Sequence, residues 1–176
     1  MTTLLTILEL TAKAGVAVVL LTSGYAKVAG PPSRARHGLP SVLAGLDRPE
    51  GRLGLGTLEI ALGAASLLAL AAPVVDGLVL GLCVAFFVGS AILGVTRPGT
   101  ACQCFGAASS SAFGPRHTIV TGVLAGAAAI AFAGSLGGAG TLAWSWHPLM
   151  LVTLVGVLAL ASRVRRLPDQ AIRRTP

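Results

Sequence analysis

The chain is built from apolar blocks, each close to the length of a membrane span, separated by short polar loops. A run of about 20 apolar residues crosses the hydrocarbon core as a helix. Several such runs in one chain predict an all-α integral membrane protein, folded as a compact helical bundle. Composition agrees: mean hydropathy is +0.83, and only 11% of residues are charged, against about 25% in soluble domains. The formal net charge of +7 is not a nucleic-acid footprint. Most of the arginines lie in loops and in the C-terminal tail, where membrane proteins use them to set orientation. The first charge is Glu9 and the first apolar stretch runs on past Leu20, which predicts a retained first span and not a cleaved signal.

Five transmembrane helices are predicted, over residues 4–28, 53–72, 77–96, 115–134 and 148–164. Residues 1–135 then form a four-helix core, residues 136–164 a link and a fifth span, and residues 165–176 a basic tail. Pro115 suits the first turn of its helix, and residues 73–76 read as a tight turn. Glu9 and Lys13 are four apart, so they share a helix face and are placed to pair. Gly77 with Gly81, and Gly122 with Gly126, are small-xxx-small patterns that predict close helix approach. No internal repeat, heptad pattern or glycine-rich phosphate motif is visible.

Five spans place the termini on opposite faces. Every arginine falls on the face that holds the first loop, the third loop and the tail. The positive-inside rule makes that face cytoplasmic and puts the N-terminus outside. Trp144 and Trp146 lie in the link on the other face, where an aromatic belt would place them.

The third loop contains Thr100-Ala101-Cys102-Gln103-Cys104-Phe105-Gly106. Residues two apart in an extended chain are about 7 Å apart, whereas disulfides want Cα atoms about 4.4–6.8 Å apart. Cys102 and Cys104 can therefore bridge only if Gln103 bends into a compact turn. Such a bridge closes a very small loop and is a poor staple. Strained or exposed disulfides are the labile ones, so the pair suits electron exchange better than structural support. Two other readings stay open on the residues alone: a soft-metal site with His117 nearby, and plain loop thiols. Cys83 lies mid-span, about 20 Å from that face, and reads as a small hydrophobe.

Glu59 lies about six residues into the second span, and an acid inside a membrane helix usually faces the bundle interior with a partner. Lys27 ends the first span. Topology gathers Tyr25, Lys27, Glu59, Cys102, Cys104, Arg116 and His117 at one end of the bundle. Lys27 or Arg116 could lower a thiol's pKa, as could the positive end of the fourth helix. Glu59 could move the proton of thiol exchange or neutralise Lys27 as a packing ion pair. His117 reads as an interfacial histidine without chemistry.

The stretches "SGYAKVAG", "LEIALGAASLLAL", "CQCFG" and "PRHTIVTGVL" resemble the MauE/DoxX family of redox-associated membrane proteins, and within it MauE most closely, over about residues 10–135. The resemblance implies a four-helix membrane core with a CxC redox pair, Cys102 and Cys104. It also implies a thioredoxin-like, MauD-like partner and a part in maturing the disulfide-rich small subunit of methylamine dehydrogenase. Lys27, Glu59 and Arg116 match recurrent polar positions of the family. Two departures stand out. Gln103 replaces the glycine of the frequent CGCFG form. The arginines also place the cysteines on the cytoplasmic face, although the client of the family is exported.

The leading expectation is a multi-pass thiol–disulfide oxidoreductase in the lipid bilayer, with Cys102, Cys104, Glu59, Lys27 and Arg116 as its working residues. A quinone could be the other electron terminus, though no residue marks a pocket for one. The alternatives are a DoxX-like scaffold or anchor subunit without chemistry, and a soft-metal-binding membrane protein.

Overall fold

The computed structural model describes residues 2–30, 48–68, 70, 72–96 and 114–137. These residues form four helices and no strand: α1 (Thr2–Ala29), α2 (Pro49–Leu67), α3 (Ala72–Thr96) and α4 (Pro115–Leu136). α2 and α4 each open with a proline, whose fixed φ and missing N–H suit the first turn. The guanidinium of Arg52 donates to the Gly30 carbonyl at 2.7 Å, tying the start of α2 to the end of α1.

Neighbouring helices run antiparallel. Gly24 of α1 faces Gly56 of α2, and Ala17 faces Gly63. Gly77 and Gly94 of α3 face Phe132 and Thr118 of α4. Glu9 near the start of α1 lies against Gly134 near the end of α4. The result is an up-down-up-down bundle in which α1 packs on both α2 and α4, and α3 packs mainly on α4.

Among the described residues three helices are long and apolar enough to cross a membrane: Leu4–Ala29, Ala72–Thr96 and Pro115–Leu136. The second helix is not among them, because its 19 residues include Glu50, Arg52 and Glu59. The expected fifth span at 148–164 lies outside the described residues, as do Trp144, Trp146 and the basic tail.

The expected boundaries shift at two places. The second helix begins at Pro49 and ends at Leu67, earlier at both ends than the apolar block suggests. Residues 73–76 are not a turn: they are the opening turns of α3, and Asp76 is buried there.

Burial follows a heptad-like spacing that was not visible as an apolar pattern. On α1 the buried positions include Glu9, Lys13, Val16, Leu20, Ser23 and Lys27, spaced alternately four and three apart. On α2 they include Gly56, Glu59, Gly63 and Ser66, and on α3 Asp76, Val79, Cys83, Ser90 and Leu93. This is the 3.5-residue period of helices crossing at a shallow angle. Towards both ends its seam is filled mostly with small and polar side chains, while Leu4, Leu53, Leu58, Val95 and Val123 point outward. At mid-height Val16, Leu20, Leu62, Val79, Cys83 and Ala128 close the core. Cys83 is fully buried there, as a small hydrophobe would be.

The glycine patterns work differently from expectation. A Cβ at Gly77 would meet the Phe132 ring, and one at Gly122 the Phe87 ring; one at Gly81 or Gly126 would meet nothing within 4 Å. The close backbone approach is between α1 and α2, where a Cβ at Gly24 would stand 2.5 Å from the Gly56 carbonyl oxygen and one at Gly63 would stand 3.0 Å from the Ala17 carbonyl oxygen. Thermal unfolding of the purified chain in detergent checks this: Gly24→Ala should lower stability by about 1–3 kcal/mol as an overpacked site, and Gly81→Ala should stay within about 0.5 kcal/mol. Equal effects of the two would mean that α1 and α2 are not the tight seam.

Candidate functional site

The α1–α2 approach puts Lys27 beside Glu59. With glycine at Gly24 and Gly56 the two backbones come close, and Lys27 Cβ lies 2.9 Å from where a Cβ at Gly56 would stand. The Lys27 ammonium donates to both carboxylate oxygens of Glu59, each at 2.8 Å. It also donates to the Ser23 hydroxyl at 2.6 Å, one turn back on α1. The Ser23 side chain is itself hydrogen-bonded to Glu59. The Phe86 ring of α3 closes another side, with its centroid 5.9 Å from Lys27 Nζ, within cation–π range.

The pair is dry. Its side chains are 4% and 0% exposed. Desolvation costs several kcal/mol per ion in such a place, so the pair adds little net stability over an apolar replacement. Breaking it is another matter, because one charge would be left buried alone.

Helix geometry fixes its depth. Glu59 is ten residues beyond Pro49, Phe86 ten residues before Thr96 and Lys27 two residues before Ala29, so the pair sits about 15 Å in from the ends of α2 and α3 at 1.5 Å per residue but close to the end of α1.

The other expected residues divide. Arg116 is in the first turn of α4 and is exposed, with no ion pair among the described residues. Tyr25 is at the same end but on the outer side of α1, 52% exposed. His117, in the first turn of α4, is buried against the bundle, and its carbonyl accepts from the Thr121 hydroxyl at 3.1 Å. Thr121 also shares a 2.7 Å hydrogen bond with Ser90, joining α3 to α4. Cys102 and Cys104 lie outside the described residues. Among the described residues no three His, Cys, Asp or Glu side chains gather as a metal-ligand set.

A second buried pair was missed. Lys13 donates to Asp76 Oδ2 at 2.7 Å, and the Ser66 hydroxyl donates to Asp76 Oδ1 at 3.0 Å. The expected Glu9–Lys13 pairing is thus replaced by one between α1 and α3, with Glu9 beside it. The available signal was spacing: Asp76, Cys83 and Ser90 are seven apart, as are Glu59 and Ser66.

These features define a class: a helical membrane bundle with a small-residue and polar seam, and a buried lysine–carboxylate pair towards each end. The chain belongs to the MauE family. The family model, described as methylamine utilisation protein MauE, matches residues 4–134, which takes in all of α2 and α3 and nearly all of α1 and α4. No curated protein and no solved structure matches the chain.

Single substitutions Lys27→Met and Glu59→Met should each cost about 3–5 kcal/mol, and the two together much less than their sum. Unfolding of the four proteins in one detergent gives the cycle. Additive losses would show that the two side chains do not act as a buried pair.

Proposed function

We propose that this protein is a multi-pass membrane thiol–disulfide exchange protein in which Cys102 and Cys104 cycle between disulfide and dithiol. The observation that carries the reading is the Lys27–Glu59 pair, a dry acid–base couple towards the end of the bundle where α3 finishes and the chain continues to the cysteines. Six peptide units separate Thr96 from Cys102, a span of at most about 20–22 Å at 3.3–3.6 Å per residue. The pair's depth of about 15 Å is inside that reach. Membership of the MauE family adds the second support.

The exchange balances without a metal. In the oxidising direction a thiolate of the partner attacks one sulfur of the Cys102–Cys104 disulfide. That bond breaks, a mixed disulfide forms, and the other cysteine leaves as a thiolate. The partner's second thiolate then attacks its own sulfur in the mixed disulfide and releases the first cysteine. The partner ends as a disulfide, and Cys102 and Cys104 have gained two electrons and two protons. The partner's two thiols give up two protons as they ionise, and the two leaving thiolates take up two, one of them by way of the Lys27–Glu59 couple. The positive charge of Arg116 and the N-terminal end of α4 stabilise the thiolate before it is protonated. Reoxidation needs a two-electron acceptor, and a membrane quinone is the fitting class. The reverse sequence reduces the partner.

A dithiol protein of thioredoxin type fits the partner's role, and maturation of a disulfide-rich exported protein in methylamine utilisation fits the family's description. A second reading, a scaffold subunit without chemistry, draws on one observation: the Lys27 ammonium donates to Ser23 and Glu59 inside the bundle, as in a packing ion pair.

Trapping separates the two. In cells, Cys102→Ser and Cys104→Ser proteins should each accumulate a mixed disulfide with a second protein, resolved by reductant on a gel, and the double variant should not. Absence of any such adduct in both single variants, with host function intact in the double variant, would establish the scaffold reading.

A further inference from the structure

At the end of the bundle where α2 finishes and α3 begins, the charges do not balance. Lys13 and Asp76 form one pair, 8% and 2% exposed at their side chains. Asp76 is fully used: Oδ2 by the Lys13 ammonium, Oδ1 by the Ser66 hydroxyl. Glu9 stands one turn before Lys13 on α1, is itself only 7% exposed, and interacts electrostatically with both Lys13 and Asp76. Its carboxylate has no hydrogen bond among the described residues. One ammonium thus faces two carboxyl groups.

The fold makes room for this extra carboxyl group. A Cβ at Gly134 of α4 would run into the Glu9 carboxyl carbon and Oε2. The groups around Glu9 are few. Its own helix brings Lys13, and α3 brings Asp76. Through Asp76, α2 brings Ser66, while the last two turns of α4 carry no ionisable side chain. Nothing within the described residues supplies the missing positive charge.

We propose that this cluster is a proton-binding site, with Glu9 as the carboxyl group that takes up and releases the proton. With Glu9 protonated, the cluster is neutral and Lys13 belongs to Asp76 alone. With Glu9 ionised, the cluster carries one net negative charge in a dry seam, which is costly. Lys13 is then drawn towards two carboxylates, which loosens the clasp between α1 and α3. Lys13 and Lys27 lie on the same buried stripe of α1, about 21 Å apart at 1.5 Å per residue. The site is therefore separate from the Lys27–Glu59 pair, and the proposal stands whether or not the redox reading does.

Infrared difference spectroscopy of the full chain in lipid nanodiscs tests it. A carbonyl stretch of a protonated carboxylic acid is expected at neutral pH, lost as the pH is raised and restored when it is lowered. Glu9→Gln should remove that band, and Glu9→Asp, which keeps a carboxyl group and is the gentler change, should shift it. A wild-type spectrum without the band at neutral pH overturns the proposal. So does a band that Glu9→Asp leaves unmoved.

Discussion

Two helices in lipid gain nothing from hiding apolar surface, because the acyl chains are as apolar as leucine. What holds them must be close packing and polar contact. That constraint organises this bundle. α1 and α2 meet through Gly24, Gly56 and Gly63, which let the backbones approach, and the approach places Lys27 on Glu59. The same logic repeats on the other side with Lys13 on Asp76 and Ser90 on Thr121. Leucine and valine, which would fill the seam of a soluble bundle, mostly face outward here.

This inversion explains what the sequence made legible and what it hid. Apolar blocks announced α1, α3 and α4, and Pro115 marked its helix start correctly. Lys27 and Glu59 stood out because a charge inside an apolar block is expensive, and the two do meet. The heptad stayed hidden because its positions hold Gly, Glu, Ser and Asp, which do not register as an apolar stripe. Asp76 was lost for a related reason: close behind Pro73, it reads as a turn residue until its partner on α1, sixty-three residues away, is seen. His117 reads as a residue at a helix end, and it does open α4, but which side of the helix it takes was not legible. Charge counting along one helix also favoured Glu9 for Lys13, since sequence shows i, i+4 neighbours and not contacts between helices.

The two ion pairs divide the bundle into a polar lower seam, a dry middle of Val16, Leu20, Leu62, Val79, Cys83 and Ala128, and a polar upper seam. About 21 Å of α1 separates Lys13 from Lys27, less than the roughly 30 Å of a hydrocarbon core. Both pairs therefore fit inside the membrane, each towards its own face, and among the described residues the middle between them is apolar. A chain that places an acid–base couple at that depth accepts a desolvation cost that apolar residues would avoid. The proton transfer proposed above for thiol chemistry would give that cost a purpose.

The central claim is that Lys27 and Glu59 serve chemistry at Cys102 and Cys104, beyond packing. The most direct measurement is the fraction of Cys102–Cys104 disulfide in cells, read by maleimide trapping before and after reduction in a Cys83→Ser background. It would compare the native pair with a Lys27→Met, Glu59→Met chain that still folds. The account predicts that the folded double variant loses normal redox cycling, so that its cysteines accumulate in one state. An unchanged disulfide fraction, with unchanged recovery after reduction, would contradict it and leave the pair as a packing device.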